Sequence, residues 1–130
     1  MDDARFKLDD FELYLRARAF RKRVYELIRR LPSQERYCLA NQMRCAGVSI
    51  TNNIAEGHGR WHYQENIHFC RVARGSIDEI IDDLNTCLDE SYADQALWAE
   101  LKAEAYNLIH RINGYISYLR KTKQGGNDTA

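Results

Sequence analysis

Apolar residues recur alternately three and four positions apart along the chain, the spacing that lines one face of an α-helix. The pattern appears four times. The first stripe is Leu13, Ala17, Phe20, Val24, Leu27 and Leu31, with Ile28 beside it; Asp9 or Asp10 is placed to cap its start and Pro32 to stop it. The second runs Leu39, Met43, Ala46, Ile50, Ile54, after Ser33 as N-cap with Glu35 in the first turn, and ends at Gly57 as a C-cap of positive φ. Gly57 and Gly59 break the pattern before the third stripe, Cys70, Ala73, Ile77, Ile80, Leu84 and Cys87, which is entered through Ile67. The fourth, capped by Asp94, runs Trp98, Leu101, Ala105, Leu108, Ile112, Tyr115 and Leu119.

No segment alternates with a period of two or clusters β-branched residues, so the chain is predicted to be all-α. Breaks of a few residues at Pro32-Ser33, Gly57 to Trp61 and Glu90 to Ala93 are too short to cross a bundle, so each helix must turn back beside the one before it. The expectation is an up-down-up-down antiparallel four-helix bundle over residues 9–121. Residues 1–8 would form an N-terminal extension and 122–130 a Gly/polar tail that frays. Helices of about 22 to 28 residues would each be about 33 to 42 Å long.

The chain has 130 residues, with 19 Lys+Arg against 19 Asp+Glu, and the zero balance argues against a generic polyanion binder. No run approaches the roughly 20 apolar residues of a membrane span, and Met-Asp-Asp-Ala-Arg is not a signal-peptide start. A soluble, cytoplasmic protein with no membrane partner is predicted. Cys38, Cys45, Cys70 and Cys87 contain no C-x-x-C pair and read as reduced core thiols.

The neutral sum conceals an uneven distribution. Opposite its core stripe the first helix carries Phe11, Tyr14, Leu15 and Tyr25, interleaved with Arg18, Lys22 and Arg29, and the third carries a weaker second strip of Phe69 and Val72. A second apolar stripe asks for a second partner, so these six apolar residues are candidate oligomer contacts. Residues 16–30 hold Arg16, Arg18, Arg21, Lys22, Arg23, Arg29 and Arg30 against Glu26 alone, a local balance of +6. Residues 78–90 hold Asp78, Glu79, Asp82, Asp83, Asp89 and Glu90 with no basic residue, a balance of −6. Such helices suit self-complementary packing, either between neighbours in one bundle or between subunits. Ordinary solvated faces are the bland alternative. The seven cations are also candidate nucleic-acid contacts, because cations fix phosphates while aromatics stack on bases.

In the second helix Gln42, Ser49, Asn53 and Glu56 fall on one narrow polar strip. The text reads Gln42-Met-Arg-Cys-Ala-Gly-Val-Ser49-Ile-Thr-Asn-Asn53-Ile-Ala-Glu56-Gly57-His-Gly-Arg60, and later Ala73-Arg-Gly-Ser76-Ile-Asp-Glu79. This resembles the four-helix-bundle proteins encoded in intervening sequences of bacterial large-subunit ribosomal RNA genes. Their pattern is Q-x-R-R-A-x-x-S-I-P-x-N-I-A-E-G-x-x-R followed by A-x-G-S-x-x-E, and they are related to the accessory variability protein of diversity-generating retroelements. Asp10-Phe-Glu-Leu-Tyr14-Leu-Arg-Ala17 also matches their D-L-x-V-W-x-x-A opening, with Tyr14 in place of Trp. Cys45 replaces a second Arg, Thr51 a Pro, and His62 a capping Ser or Thr.

The resemblance covers about residues 9–121. It implies a homo-oligomer, typically a pentamer around a central channel, with no established catalysis. The retroelement relatives work with a reverse transcriptase and its RNA, an alternative role that would use the basic first helix. The motif residues themselves read as structural. Ser49, Asn53, Ser76 and Glu79 can exchange hydrogen bonds across the second and third helices, Glu56 can pair with Arg60, Arg44 or Arg74, and Ala73 and Gly75 permit close approach. A surface binding strip is the rival reading.

No catalytic constellation emerges. His58, His62 and His68 lie near Glu56 and Glu65, but the glycines interrupt the helix that would align them, and Glu65-Asn-Ile-His68 has no second copy to form a di-iron site. His110 stands alone. Nucleophile elbows, P-loops and dinucleotide glycine patterns are lacking. The expectation is a non-enzymatic protein without cofactor, metal or small-molecule substrate. Trp61 and Tyr63 are expected to anchor the second break.

Overall fold

The computed structural model describes residues 7–123. Four helices account for most of them: α1 (Glu12–Ile28), α2 (Leu39–His58), α3 (Tyr63–Asp89) and α4 (Gln95–Thr122). No strand occurs among the described residues. α1 packs on α2 and α4, and α3 packs on the same two helices. The four stripes meet in one core in which Leu27, Met43, Ile54, Ile77, Leu84, Leu101, Ile112 and Leu119 are almost wholly buried. Each such side chain contributes about 1.5 to 3 kcal/mol relative to leaving it exposed. Contacts between α2 and α3 fall at Met43–Cys87, Ser49–Ser76 and Gly57–Asn66, early positions of one meeting late positions of the other. Between α3 and α4 the pairs are Asn85–Trp98, Arg74–Asn113 and Asn66–Tyr115.

Helix ends depart from expectation more than helix faces do. Neither Asp9 nor Asp10 caps α1; both lie in a 3-10 turn, Leu8–Asp10, and Phe11 occupies the N-cap without a side-chain bond. α1 stops at Ile28, ahead of Leu31, because the residue before Pro32 is held out of the helical region and the chain turns at Arg29-Arg30. Ser33 does not cap α2. It opens a second 3-10 turn, Ser33–Glu35, and α2 begins only at Leu39. Glu35 supplies the missing cap from four residues upstream: its Oε1 accepts from Leu39 N at 3.4 Å while its Oε2 accepts from the Tyr92 hydroxyl at 2.8 Å, tying this turn to the α3–α4 connection. α1 and α2 are therefore 17 and 20 residues long, shorter than expected. Asp94 caps α4 as expected, accepting from Leu97 N at 2.8 Å.

The core shows smaller shifts. Cys70 and Cys87 are buried, and burial pushes their thiols up to about 12 and about 11. Cys38 and Cys45 are exposed and are not core thiols. Ile116 rather than Tyr115 continues the α4 stripe, and Trp98 is half-buried with Nε1 donating to Asn85 Oδ1 at 3.1 Å. Trp61 is 61% exposed and is not packed on the core among the described residues, whereas Tyr63 is. Thr122 is the last residue of α4 with Lys123 as its cap, and the rest of the expected tail, like residues 1–6, lies outside the described residues.

Candidate functional site

The α2–α3 contact gathers most of the motif. The helices approach closely at Gly57, where a Cβ would stand 2.6 Å from Asn66 Oδ1 and 3.1 Å from both Asn66 O and Phe69 Cβ. Gly57 is thus a packing position inside the helix and not the expected C-cap. α2 continues through His58, and Gly59 ends it with φ −81° and ψ −4°. Gly75 has no such role, since a Cβ there would meet nothing within 4 Å.

One step along the seam, Ser76 Oγ donates to Ser49 Oγ at 2.8 Å, and Asn53 Nδ2 donates to Ser49 Oγ at 3.1 Å and to Ser49 O at 2.8 Å. Three motif residues therefore form one network across two helices, and Ser76 within it is buried. Neutral groups suit this place because a satisfied hydroxyl can be buried at little cost, whereas an unpaired charge cannot. Glu79 is exposed and stands apart from this network, contrary to expectation. Glu56 pairs with Arg60 at 2.6 Å on the surface, and the Arg60 guanidinium lies 5.0 Å over the Phe69 ring. Arg44 and Arg74 are engaged elsewhere, over Tyr25 and with Asn113.

The family model of the 23S rRNA-intervening sequence protein matches residues 9–114. The chain belongs to this family. No curated protein matches the chain. The family match spans α1, α2 and α3 and most of α4, so the seam lies wholly within it.

A residue absent from the sequence reading completes the seam. Asn66 is 1% exposed; its Nδ2 donates to the Tyr115 hydroxyl at 3.0 Å and its Oδ1 accepts from Cys70 Sγ at 3.6 Å. Burial pushes the Tyr115 hydroxyl up to about 12. The signal was in the register: Asn66 lies four residues before Cys70 and extends the third stripe backwards, so a polar residue there must find a buried partner.

Beyond the Ser49–Ser76 pair the two helices open into a groove of about 490 Å³. Asn41, Gln42 and Cys45 line it from α2, and Glu79, Asp82 and Asp83 from α3. Gln42 and Glu79, the remaining motif residues, are both exposed on its walls. The Asp83 carboxyl is pushed up to about 6, first by burial and then by Asp82 and Glu79.

The expected oligomer strip is only partly outward. Phe11 is buried, its ring 5.2 Å from His58 and 5.1 Å from Tyr115, because the chain enters α1 across the end of the bundle. Tyr14 is half-buried against the core, and Tyr25 fits over Gly47 of α2 with its hydroxyl donating to Arg44 O at 3.3 Å. Phe69 is half-buried; Leu15 and Val72 are exposed.

The seven cations divide as well. Arg23 reaches Glu100 and Glu104 of α4, Arg21 donates to the buried Thr51 hydroxyl at 2.7 Å, and Arg16 pairs with Glu12 at 2.9 Å. Arg18, Lys22, Arg29 and Arg30 are exposed. Basic α1 and acidic α3 are not neighbours in the bundle, and α4 supplies the carboxylates that α1 meets. Among the described residues, no group of three His, Cys, Asp or Glu side chains could hold a metal ion. His58 is buried, while His62, His68 and His110 are exposed and apart from it. No described helix is long and apolar enough to cross a membrane.

Proposed function

We propose that the protein is a non-enzymatic cytoplasmic scaffold or binding module: an up-down-up-down antiparallel bundle that repeats as the subunit of a cyclic homo-oligomer. The pairing of early with late positions at the α2–α3 and α3–α4 contacts supports the antiparallel order. One observation carries the assembly. A chain of zero net charge bears a basic face on α1 and an acidic one on α3, and the two do not meet within the bundle. Unlike faces on separate sides of one molecule favour a head-to-tail contact, which closes into a ring when the rotation allows. Five subunits is the number that the family resemblance implies. Light-scattering mass tests the reading: a multiple of 15.2 kDa at micromolar concentration is expected, and a single-chain mass would overturn it.

A second reading, an accessory protein for RNA or a reverse transcriptase, draws on Arg18, Lys22, Arg29 and Arg30, the exposed cations of residues 16–30 other than the Glu12-paired Arg16. Phosphate contacts of that kind would make RNA affinity fall steeply with salt, and Arg18→Glu with Lys22→Glu would abolish it while the oligomer persists.

A further inference from the structure

The groove between α2 and α3 contains a carboxylate that the hydroxyl seam does not use. Asp83 is 7% exposed, and no hydrogen bond or ion pair reaches it among the described residues. Glu79 and Asp82 stand beside it on the same groove. Its oxygens open into the groove, where the like charges beside it disfavour ionisation, so a cation entering the groove gains from all three carboxylates. Three basic residues of α2, α3 and α4 are directed elsewhere. Arg44 lies 4.7 Å over the Tyr25 ring, Arg74 donates to Asn113 at 2.6 Å, and Lys102 donates to Asn85 at 3.0 Å.

We infer that this groove is the receiving half of the subunit contact and takes a basic side chain from α1 of a second copy, with Asp83 as the buried anchor and Glu79 and Asp82 as the rim. The inference rests on the assembly proposed above and specifies its chemistry. Charge complementarity selects the occupant. Arg18 and Lys22 are exposed four apart on α1, and Arg29, its C-cap, is exposed seven residues further on, so the three share one outward side, with Glu26 as the one acid between residues 16 and 30. A guanidinium or ammonium group suits carboxylates spread along a groove with amides on the opposite wall, because it needs no tight convergence of ligands. A metal ion does need that convergence, and the described residues do not offer it. The donor face and the receiving groove are different surfaces, so the contact is heterologous and each subunit both gives and receives.

Charge reversal tests this on the full chain. Glu79→Lys with Asp82→Lys, and separately Lys22→Glu with Arg29→Glu, alter exposed positions and are expected to keep the helical circular-dichroism spectrum. Each pair is expected to weaken association by about tenfold or more at the concentration where the wild type is assembled. A chain carrying all four substitutions restores complementarity at the rim while Asp83 keeps only Arg18 as a cation, so it is expected to associate more tightly than either pair alone and short of the wild type. Asp83→Asn keeps the shape of the groove and removes the anchor, so it should weaken association even if a reversed variant fails to fold. Wild-type mass in the groove variants, or no recovery in the fourfold one, overturns the docking while leaving the assembly in place. A single-chain wild type overturns both.

Discussion

Where α2 meets α3 the helices touch through a glycine and two hydroxyls; where α1 meets α4 they leave a cleft of about 320 Å³, bridged at its rim by Arg23 reaching Glu100 and Glu104. The first seam is built from small neutral groups that tolerate little displacement. The second is built from long charged side chains with freedom to adjust. Small groups fix register because their bonds form only at one approach distance, whereas flexible ion pairs at a surface survive shifts of an ångström and contribute little. The two seams should therefore respond to substitution on different scales.

The largest effect is expected at the tightest point. Gly57→Ala places a Cβ within 2.6 Å of Asn66 Oδ1, and Asn66 cannot yield because it is itself bonded to Tyr115. Overpacking of this kind costs about 1 to 3 kcal/mol, beyond the gain of up to about 1 kcal/mol from replacing a helical glycine. The net expectation is a loss of about 1 to 2 kcal/mol, a melting temperature lower by about 4 to 7 °C. Gly75→Ala is the control on the open side of α3, where a Cβ meets nothing within 4 Å. There only the propensity term operates, and thermal melting should show stabilisation of about 0.5 to 1 kcal/mol. Equal behaviour of the two variants would remove the distinction between a packed and an unpacked glycine.

The far end of the same seam gives the next effect, and it depends on pH. The Asp83 carboxyl is raised from 3.8 to about 6, so the folded chain binds this proton more tightly than the unfolded chain does. Its contribution is favourable below about pH 4 and is lost as pH rises through about 6. Glu79 and Asp82 face it from its own helix, and Asn41, Gln42 and the Cys45 thiol from α2. With chains diluted to single molecules, Asp83→Asn should be more stable than wild type by about 1 to 2 kcal/mol at pH 8 and equal to it at pH 3.5. A difference that does not change with pH would mean that Asp83 is not the titrating group.

A smaller effect should appear in the hydroxyl pair. Ser49→Ala and Ser76→Ala each remove a neutral hydrogen bond worth about 1 kcal/mol, and the double variant should cost less than the two singles together because they share one bond. Additive losses in urea unfolding would show that the Ser49–Ser76 contact carries no coupling.

These contrasts track what the chain made legible. The faces of the helices were readable because a period of three and four residues is set by backbone geometry, and the Ser49, Asn53 and Ser76 cluster was readable because its spacing put all three on facing edges. The ends were not. Glu35 caps α2 from outside it while held by Tyr92, a partner 57 residues away. Phe11 looked outward by periodicity, but it precedes the first helical residue, where periodicity no longer applies. Gly57 read as a C-cap and Gly75 as the point of close approach, whereas Gly57 makes the approach and Gly75 faces open space, because a sequence records that a side chain is missing and not what stands in its place. Arg23 and Arg18 likewise differ only in what lies across from them.

That last pair defines the smallest expected effect. Arg23 is about one-third exposed, and its partners Glu100 and Glu104 are still more open to solvent in the first case and equally so in the second. Water screens such pairs, and holding three long side chains together costs rotamer entropy, so Arg23→Ala is expected to lose about 0.5 to 1 kcal/mol. Part of that loss would be repulsion between Glu100 and Glu104, four residues apart on one helix and no longer bridged. The loss should shrink by half or more in 1 M salt, where screening acts within about 3 Å, while the Gly57→Ala loss should not respond to salt. Thermal melting of both variants at low and high salt would separate the seams. A salt-insensitive loss at Arg23 would mean that its aliphatic stem holds these helices together and that the charges are incidental.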